Sequence, residues 1–266
     1  MNWLRPKLAG NTLLRGAWLS LGSPVAAEMA GSAGFDWLLF DLEHGVPDYQ
    51  TLLHQLQAVG RFDIGSLVRV PGIDGRTFKH ILDLGPQGLM IPNIATAEEA
   101  AEVVSLARIP PLGVRGAAQT TRASGYGPDY EQYVREVNNN IVVAVQIESQ
   151  RGVDNASAIA AVDGVDILFI GPLDLSIDLG TEAERPRGEF RKAVITVAEA
   201  ARQHGKTLGV LVRNLEQARD YYELGYTFIA LGSDRGLIGS GMRRNAANLR
   251  SLIEEPGADD SRRAAQ

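Results

Sequence analysis

Residues 141–176 read IVVAVQIESQRGVDNASAIAAVDGVDILFIGPLDLS and contain two short apolar runs, Ile141–Ile147 and Val165–Ile170. A segment with helical spacing, Asn155–Ala161, lies between them. Both runs are continuously apolar instead of alternating with polar residues, which is typical of parallel strands covered on both faces. The stretch therefore predicts a strand–helix–strand unit of a parallel sheet.

The same alternation extends over most of the chain on both sides of this unit. We predict eight strands, at Leu14–Leu19, Asp36–Asp41, Gly65–Val70, Gly88–Ile91, Ile141–Ile147, Val165–Ile170, Thr207–Val212 and Phe228–Leu231. We predict helices at Tyr49–Val59, Gly75–Leu84, Ala97–Ala107, Asn155–Ala161, Glu189–Gln203, Leu215–Leu224 and Met242–Glu254. Eight strands that alternate with helices indicate a single closed (β/α)₈ barrel over residues 1–255. The remainder, 256–266, is rich in Gly, Asp and Ala and is predicted to be a disordered tail.

Helix boundaries and one long connection are also legible in the sequence. N-cap residues open three of the predicted helices: Asp48, Asp74 and Thr96. Glycines close three of them: Gly60, Gly85 and Gly225. The connection IPPLGVRGAAQTTRASGYGP, residues 109–128, carries Arg115 and Arg122 and is long for a compact domain. Either it covers the substrate or it is a solvated loop.

Composition excludes several classes of function. The net charge of −6 offers no electrostatic footprint for nucleic acid or for an anionic membrane surface. The absence of cysteine excludes disulfides, thiolate metal sites and a cysteine nucleophile. The N-terminal stretch is too polar for a signal peptide, and no apolar run has the length of a membrane span. We therefore expect a cytoplasmic protein that acts on small molecules.

Polar residues at the ends of the predicted strands are the candidates for chemistry. In a barrel of this type, active sites are built at the carboxyl ends of the strands. The polar residues at these ends are Asp41, Glu43, His44, Arg69, Gln146, Glu148 and Asp174. Glu148 and Asp174 are either capping residues or ligands of a shared cation, and their convergence on one rim favours the cation. An oxygen-rich site suits Mg²⁺ or Mn²⁺, with Co²⁺ or another divalent ion as further candidates.

Other side chains at the rim could move protons or bind anions. His44 is the one histidine that follows a strand, and its ordinary pKa suits proton transfer near neutral pH; the alternative is a hydrogen-bonded loop histidine. Arg69 can grip a carboxylate or stabilise negative oxygen, unless it only forms an internal salt bridge. Trp18 ends the first strand and is either a pocket wall or a core residue.

The lysines argue against covalent catalysis. The chain has four of them: Lys7, Lys79, Lys192 and Lys206. None follows a predicted strand at the rim, where a Schiff-base aldolase needs its lysine. If the protein is an aldolase, a metal must be the electron sink.

Several motifs in order resemble the HpcH/HpaI aldolase family of metal-dependent pyruvate aldolases, typified by 2,4-dihydroxyhept-2-ene-1,7-dioate aldolase. They are FDLEHG, the VRV strand, LDLGPQGLMIP, PPLGVRG, VQIES and FIGPLDLS, and the likeness runs from about Leu13 to about Ser240. The resemblance implies a barrel of the phosphoenolpyruvate/pyruvate type, often with the final helix exchanged between subunits, and commonly a hexamer. It also implies reversible aldol addition of a pyruvate enolate to an aldehyde, that is, retro-aldol cleavage of 4-hydroxy-2-keto acids.

The resemblance assigns roles to individual residues. Glu148 and Asp174 would be the metal ligands. His44 would act with Asp83 as the acid–base pair, supported by Asp41, and Arg69 would stabilise the enolate. The residues that would hold the substrate, pyruvate or a related 2-keto acid, are Arg69, Gln146, Gly171, Pro172, Leu173 and Trp18, with the backbone amide of Leu173 as the donor.

Two other readings remain open. A citrate-lyase-like or malyl-CoA-type lyase would use the same metal and enolate chemistry, but a coenzyme A thioester would call for a basic cluster that the sequence does not display. A barrel without catalysis, acting as a binding or assembly module, would leave the rim free of metal.

Overall fold

The computed structural model describes residues 4–10, 12–181 and 188–254. The proposed tail at 256–266 lies outside these residues, as do the ends of the range assigned to the barrel domain. No helix in the described ranges has the combination of length and apolarity that a bilayer crossing requires.

Eight strands form a closed, entirely parallel barrel in sequence order, with β8 paired to β1. The strands are β1 Leu14–Leu19, β2 Trp37–Asp41, β3 Gly65–Arg69, β4 Gly88–Ile91, β5 Val142–Ile147, β6 Ile167–Ile170, β7 Thr207–Val212 and β8 Phe228–Ser233. The helices are α1 Arg5–Leu8, α2 Pro24–Ser32, α3 Tyr49–Val59, α4 Gly75–Asp83, α5 Ala97–Ala107, α6 Tyr130–Asn140, α7 Gln150–Asp154, α8 Ala156–Ala160, α9 Pro172–Asp178, α10 Gly188–Gln203, α11 Leu215–Glu223 and α12 Asp234–Glu254. The predicted (β/α)₈ barrel is confirmed.

Two apolar layers explain why the strands are continuously hydrophobic. One layer fills the barrel interior and includes Trp37, Leu39, Met90 and Phe228, while the other lies between the strands and the surrounding helices. The rings of Trp37 and Phe228 stack with their centroids 3.7 Å apart. Gly16 faces Trp37, and a Cβ at this position would run into the indole, so only glycine allows this close approach.

The predicted helix boundaries are largely confirmed. The side chains of Asp48, Asp74 and Thr96 each accept a hydrogen bond from the first turn of their helices. The predicted Asn155–Ala161 helix is confirmed to within one residue at each end as α8, whereas the short helix α7 that precedes it was not predicted. The sequence analysis also did not predict α1, α2, α6 and α9; α1 and α9 are short, and α6 is strongly polar.

The long connection after α5 does not cover the rim within its own chain. The Arg122 guanidinium donates to the carbonyls of Leu84 and Leu56, near the carboxyl ends of α4 and α3, at 2.6 and 3.1 Å. Arg115 is only 4% exposed and donates to the Tyr133 hydroxyl at 2.8 Å. Helices that follow the strands of a barrel run away from the active rim. These contacts at the carboxyl ends of α3 and α4 therefore hold the connection near the opposite end of the barrel. The connection therefore does not cover the rim of its own chain, and because most of its residues are exposed, the solvated loop is the alternative that the structure favours.

The last helix leaves the barrel surface. It begins at Asp234, eight residues before the predicted start at Met242, and extends to Glu254. Beyond its first turns nearly every described side chain is exposed, and the exposed apolar ones are Leu237, Ile238, Met242, Leu249 and Leu252. An exposed apolar face of this kind marks an interaction surface in soluble proteins.

Candidate active site

A cavity of about 230 Å³ opens at the carboxyl ends of the strands. Its walls include Trp18 and five of the polar residues selected at the carboxyl ends of the strands (the rim rule): His44, Arg69, Gln146, Glu148 and Asp174. Gly171, Pro172 and Leu173, at the start of α9, line it as well. The structure thus brings most of the candidate residues together around one space.

A buried ion pair between β2 and β3 forms one wall. Arg69 donates through Nε to Asp41 Oδ1 at 2.9 Å and through Nη2 to Asp41 Oδ2 at 2.7 Å. Burial by itself would raise the pKa of Asp41, but the hydrogen bonds and the charge of Arg69 lower it overall. Burial opposes the charge of Arg69, yet the Asp41 contact raises the pKa of the guanidinium. Both groups are therefore charged.

Asp41 also organises the backbone beyond β2. Its Oδ1 accepts the backbone N–H groups of Glu43 at 3.1 Å and His44 at 3.3 Å. The indole of Trp18 donates to Oδ2 at 3.3 Å, and the guanidinium carbon of Arg69 lies 4.9 Å from the centre of that indole. One carboxylate therefore holds the arginine, the tryptophan and the loop that carries His44.

Glu43 adds a second acid beside Arg69. Its Oε2 lies 2.8 Å from Arg69 Nη1, but the angle does not meet the geometry of a hydrogen bond, so the contact is ionic and Oε2 stays without a hydrogen-bond partner among the described residues. Burial raises the pKa of Glu43 against the lowering effect of Arg69. Arg69 thus faces two carboxylates, and its charge is neutralised within the protein.

Glu148, at the end of β5, is the strongly perturbed acid of the site. Burial, together with repulsion from Asp174 and Glu43, raises its pKa to about 7. Its Oε1 accepts from Gln146 Nε2 at 2.5 Å, and its Oε2 accepts the backbone N–H of Asn93 at 3.1 Å. A Cβ at Gly171 would run into the Glu148 carboxylate, so glycine at this position leaves room for the acid.

The acidic side of the cavity fits a hard divalent cation. Glu148 is buried beside the exposed carboxylate of Asp174, and the buried Gln146 Oε1 lacks a hydrogen-bond partner among the described residues. Repelling carboxylates with an orphaned oxygen nearby are stabilised by a cation. The described residues contain no cluster of three or more His, Cys, Asp or Glu side chains able to hold a metal. Two carboxylates suit Mg²⁺ or a similar ion, which keeps water and substrate oxygens in its other positions.

His44 lies at the solvent side of the cavity. Its side chain is 71% exposed, and Nε2 lies 3.9 Å from Glu43 Oε1. No other histidine lines the cavity, since His54 and His80 lie on α3 and α4 and His204 directly follows α10. Lys206 donates to the carbonyls of Val162 and Val165, ahead of β6, and is therefore at the opposite end of the barrel.

Asp83 does not line the cavity, and unlike Asp41 and Glu43 it makes no contact with Arg69. It is the last residue of α4, which starts next to the rim at Gly75, so it lies about 12 Å further along the helix axis at 1.5 Å per residue. Burial raises its pKa, against the opposing charges of Arg115, Lys79 and His80. A pair between His44 and Asp83 is therefore not formed within one chain.

The sequence analysis missed the wall formed by β7 and α11. Leu211, Arg213, Gln217 and Tyr221 line the cavity, as does Phe169 of β6, whose ring centroid lies 5.7 Å from that of Trp18. Arg213 directly follows β7, so the rule that selected Asp41 and Glu148 could have found it. The helical residues have no such signal in the sequence.

Comparison with known proteins places the chain in context. Residues 14–240 match the profile of the family described as HpcH/HpaI aldolase/citrate lyase. The chain is 40% identical over 247 residues to a 5-keto-4-deoxy-D-glucarate aldolase of Klebsiella pneumoniae, covering 92% of this chain and 95% of that protein.

Solved structures agree with this match. An HpcH/HpaI aldolase/citrate lyase family protein from Burkholderia cenocepacia superposes with a TM-score of 0.88 at 37% identity, over 94% of this chain and 100% of that one. An HpcH/HpaI aldolase from Desulfitobacterium hafniense gives a TM-score of 0.87 at 28% identity, over 97% of this chain and 99% of that one.

The buried ion pair generates a stability prediction. Asp41→Asn leaves the Arg69 charge poorly compensated in the barrel and should lower the free energy of unfolding by about 3–5 kcal/mol. Because the folded pKa of Asp41 is lowered, the stabilisation that it contributes is present above the unfolded pKa and is lost as the pH falls through the folded pKa. The variant should lack this part of the acid dependence. Urea unfolding at neutral and acidic pH measures both effects.

Asp36→Asn is the matched control for this experiment. Asp36 also receives two guanidinium hydrogen bonds from an arginine, Arg15, together with one from the backbone N–H of that residue, but the Arg15 side chain is exposed. Its loss should cost clearly less, because exposed ion pairs contribute little. An equal or larger cost for Asp36→Asn would contradict the dominant role of the buried pair.

Proposed function

The chain belongs to the HpcH/HpaI aldolase/citrate lyase family, and from this premise we propose that it cleaves 4-hydroxy-2-keto acids reversibly into pyruvate, or a close relative, and an aldehyde. The membership makes it a carbon–carbon lyase of the aldolase type. The observation that carries the choice of substrate is a rim cavity with a fixed guanidinium, Arg69, and two repelling carboxylates, Glu148 and Asp174. This arrangement suits a substrate that carries adjacent carboxylate and keto oxygens.

Glu148 and Asp174 would hold a divalent cation, with Mg²⁺ or Mn²⁺ as the first candidates and Co²⁺ or another divalent ion as alternatives. When bound, such a cation supplies Lewis-acid polarisation of the keto oxygen. Gln146 keeps the Glu148 carboxylate in place through its hydrogen bond, and its own free oxygen faces the same region. Gly171, Pro172 and Leu173 form the adjoining wall, where the backbone amide of Leu173 can donate to the substrate carboxylate.

Arg69 would stabilise the negative charge that develops on the keto oxygen. Two of its nitrogens are held by Asp41, so the guanidinium is oriented before the substrate arrives. A preoriented donor avoids reorganisation during the reaction, which is why such groups contribute strongly to rate. Trp18 packs against the guanidinium and closes the cavity from the β1 side.

His44 would act as the base. In the cleavage direction it removes the proton of the C4 hydroxyl, the C3–C4 bond breaks, and the electron pair passes to C3 and the keto group. Return of a proton to C3 then completes pyruvate, and the other fragment leaves as an aldehyde. The exposed imidazole at the cavity mouth, with its backbone fixed by Asp41, supports this role.

The 5-keto-4-deoxy-D-glucarate named for the Klebsiella relative indicates the size class of the substrate. A glucarate derivative is a six-carbon acid with a carboxylate at each end. We propose that the natural substrate here is likewise a polar keto acid of sugar-acid type.

Assembly is part of the proposal. The exposed apolar face of α12 supports a homo-oligomer in which the final helix packs on a neighbouring subunit, and a hexamer is the state that we propose. In such an assembly, Asp83 of the partner subunit would complete the acid–base pair with His44.

Proton exchange tests the central proposal. Pyruvate incubated with the enzyme and Mg²⁺ or Mn²⁺ in deuterium oxide should take up deuterium in its methyl group, and His44→Ala should slow the exchange by about 10²–10⁴-fold because the base is lost. His54→Ala, an exposed histidine on α3, should have no effect. Deuterium exchange into acetyl-CoA but not into pyruvate would contradict the aldolase proposal and indicate a citrate-lyase-like reaction.

Metal binding should depend on Glu148. Glu148 is one of the two carboxylates that we propose as ligands of the cation. Loss of an outer-shell partner of a metal ligand costs about 10–100-fold in affinity, so Glu148→Gln should weaken Mn²⁺ binding by at least that factor. Calorimetric titration of the protein without substrate measures this directly. Glu102→Gln, an exposed acid on α5, is the control. Unchanged affinity in Glu148→Gln would remove the residue from the ligand set.

Mixing subunits tests the shared acid–base pair. His44→Ala and Asp83→Asn should each be nearly inactive alone, whereas mixed assemblies should regain activity, because each mixed pair contains one intact site. His44→Ala mixed with Arg69→Lys should not recover, since both positions belong to the same chain at one rim. Retro-aldol rate and native mass spectrometry report activity and mixing. Mixed assemblies without recovery would confine Asp83 to a structural role.

A further inference from the structure

One wall of the cavity has no role in the pyruvate chemistry. Arg213 directly follows β7, and Gln217 and Tyr221 lie four and eight residues further along, on α11. Positions spaced by four share one face of a helix, and all three residues line the cavity. The wall formed by Arg213, Gln217 and Tyr221 is called the distal wall below.

Arg213 carries a charge that is not neutralised within the described chain. Its side chain is exposed at the mouth of the cavity, and no ion pair joins it to a carboxylate of the residues that the structure describes. Arg69, in contrast, faces both Asp41 and Glu43. An arginine in this state can bind a carboxylate in a bidentate manner without breaking an existing pair.

The other two members add neutral polar groups. The backbone N–H of Arg213 donates to Gln217 Oε1 at 2.8 Å, which fixes the amide beside the guanidinium. Tyr221 is 2% exposed, and its hydroxyl has no hydrogen-bond partner among the described residues. Buried hydroxyls are normally paired, so an unpaired one in a cavity wall is available to a polar ligand.

Charges of both signs line the cavity, with carboxylates after β5 and β6 and an exposed guanidinium after β7. Glu148 and Asp174 form the acidic side, where the proposed cation and pyruvate belong. Arg213 contributes the positive charge of the distal wall. A ligand that carries a second anionic group beyond its keto-acid end matches this arrangement.

We propose that Arg213 binds a carboxylate on the aldehyde half of the substrate, with Gln217 and Tyr221 contacting its hydroxyl groups. The enzyme then selects acidic, hydroxylated aldehydes over neutral ones of equal length. The inference rests on the proposed aldol function and adds the residues that would recognise the aldehyde half.

The test compares pairs of aldehydes matched in length. The rate of pyruvate addition is measured for glyoxylate against glycolaldehyde and for succinic semialdehyde against butyraldehyde. The native enzyme should have a higher kcat/KM for the acidic aldehyde of a pair than for the neutral one. Arg213→Gln should lower that preference by about 10–100-fold, mainly through KM, because it removes one charge-assisted contact. Arg213→Lys should restore part of it.

Arg219→Gln is the control, since Arg219 is an exposed arginine of the same helix that does not line the cavity. It should leave the preference unchanged. An equal loss for acidic and neutral aldehydes in Arg213→Gln, or no loss at all, would overturn the assignment.

A separate measurement isolates the proposed function. Deuterium exchange into pyruvate by the native enzyme requires no aldehyde. Absent exchange counts against the aldol function itself, whereas normal exchange with an unaltered aldehyde preference in Arg213→Gln counts against the distal wall alone.

Discussion

The site depends on one buried ion pair, Arg69 with Asp41, that joins β2 to β3 at the rim. A charge in the mouth of an apolar barrel is costly unless it is paired and hydrogen-bonded. Asp41 satisfies this condition by accepting two hydrogen bonds from Arg69 and one from Trp18. It also accepts the backbone N–H groups of Glu43 and His44. The orientation of the proposed anion-stabilising group and the position of the proposed base are therefore set by the same carboxylate.

This pairing also determines the electrostatics of the acidic side. Arg69 pairs with Asp41 and Glu43, and its charge lowers the pKa of Glu148 less than burial, Asp174 and Glu43 raise it. Burial and repulsion from Asp174 and Glu43 then raise the pKa of Glu148 to about 7. A divalent cation would reverse this situation, since it favours both ionised carboxylates and restores charge balance. In the proposed function, the cation would add to the positive charge that Arg69 provides for the enolate chemistry.

The sequence predicted the barrel and most of the rim because both follow from local rules. Continuous apolar runs correspond to strands buried on both faces, and β1, β4 and β7 have the predicted bounds. The rim rule gathered Asp41, Arg69, Gln146 and Glu148 because polar residues at strand ends are few. Arg213 directly follows β7 and meets the same rule, although it was not among the candidates, whereas Tyr221 has no such signal because its place depends on how α11 packs. The direction of the connection carrying Arg115 and Arg122 depends on tertiary hydrogen bonds that leave no local pattern.

Asp83 illustrates a different limit of sequence analysis. The motif suggested the role of this residue but not its position in the structure. A motif records which residues act together, but not whether they belong to the same chain. Within one subunit, α4 carries Asp83 away from the rim, while His44 remains exposed and α12 presents apolar residues with no cover in the described chain. Packing one subunit against another would cover the apolar face of α12. It would also allow Asp83 of one subunit to approach His44 of its neighbour. In our proposal, the barrel of one subunit would supply the metal-binding and substrate-binding half of the site, and the proton chemistry is the part that should depend on assembly.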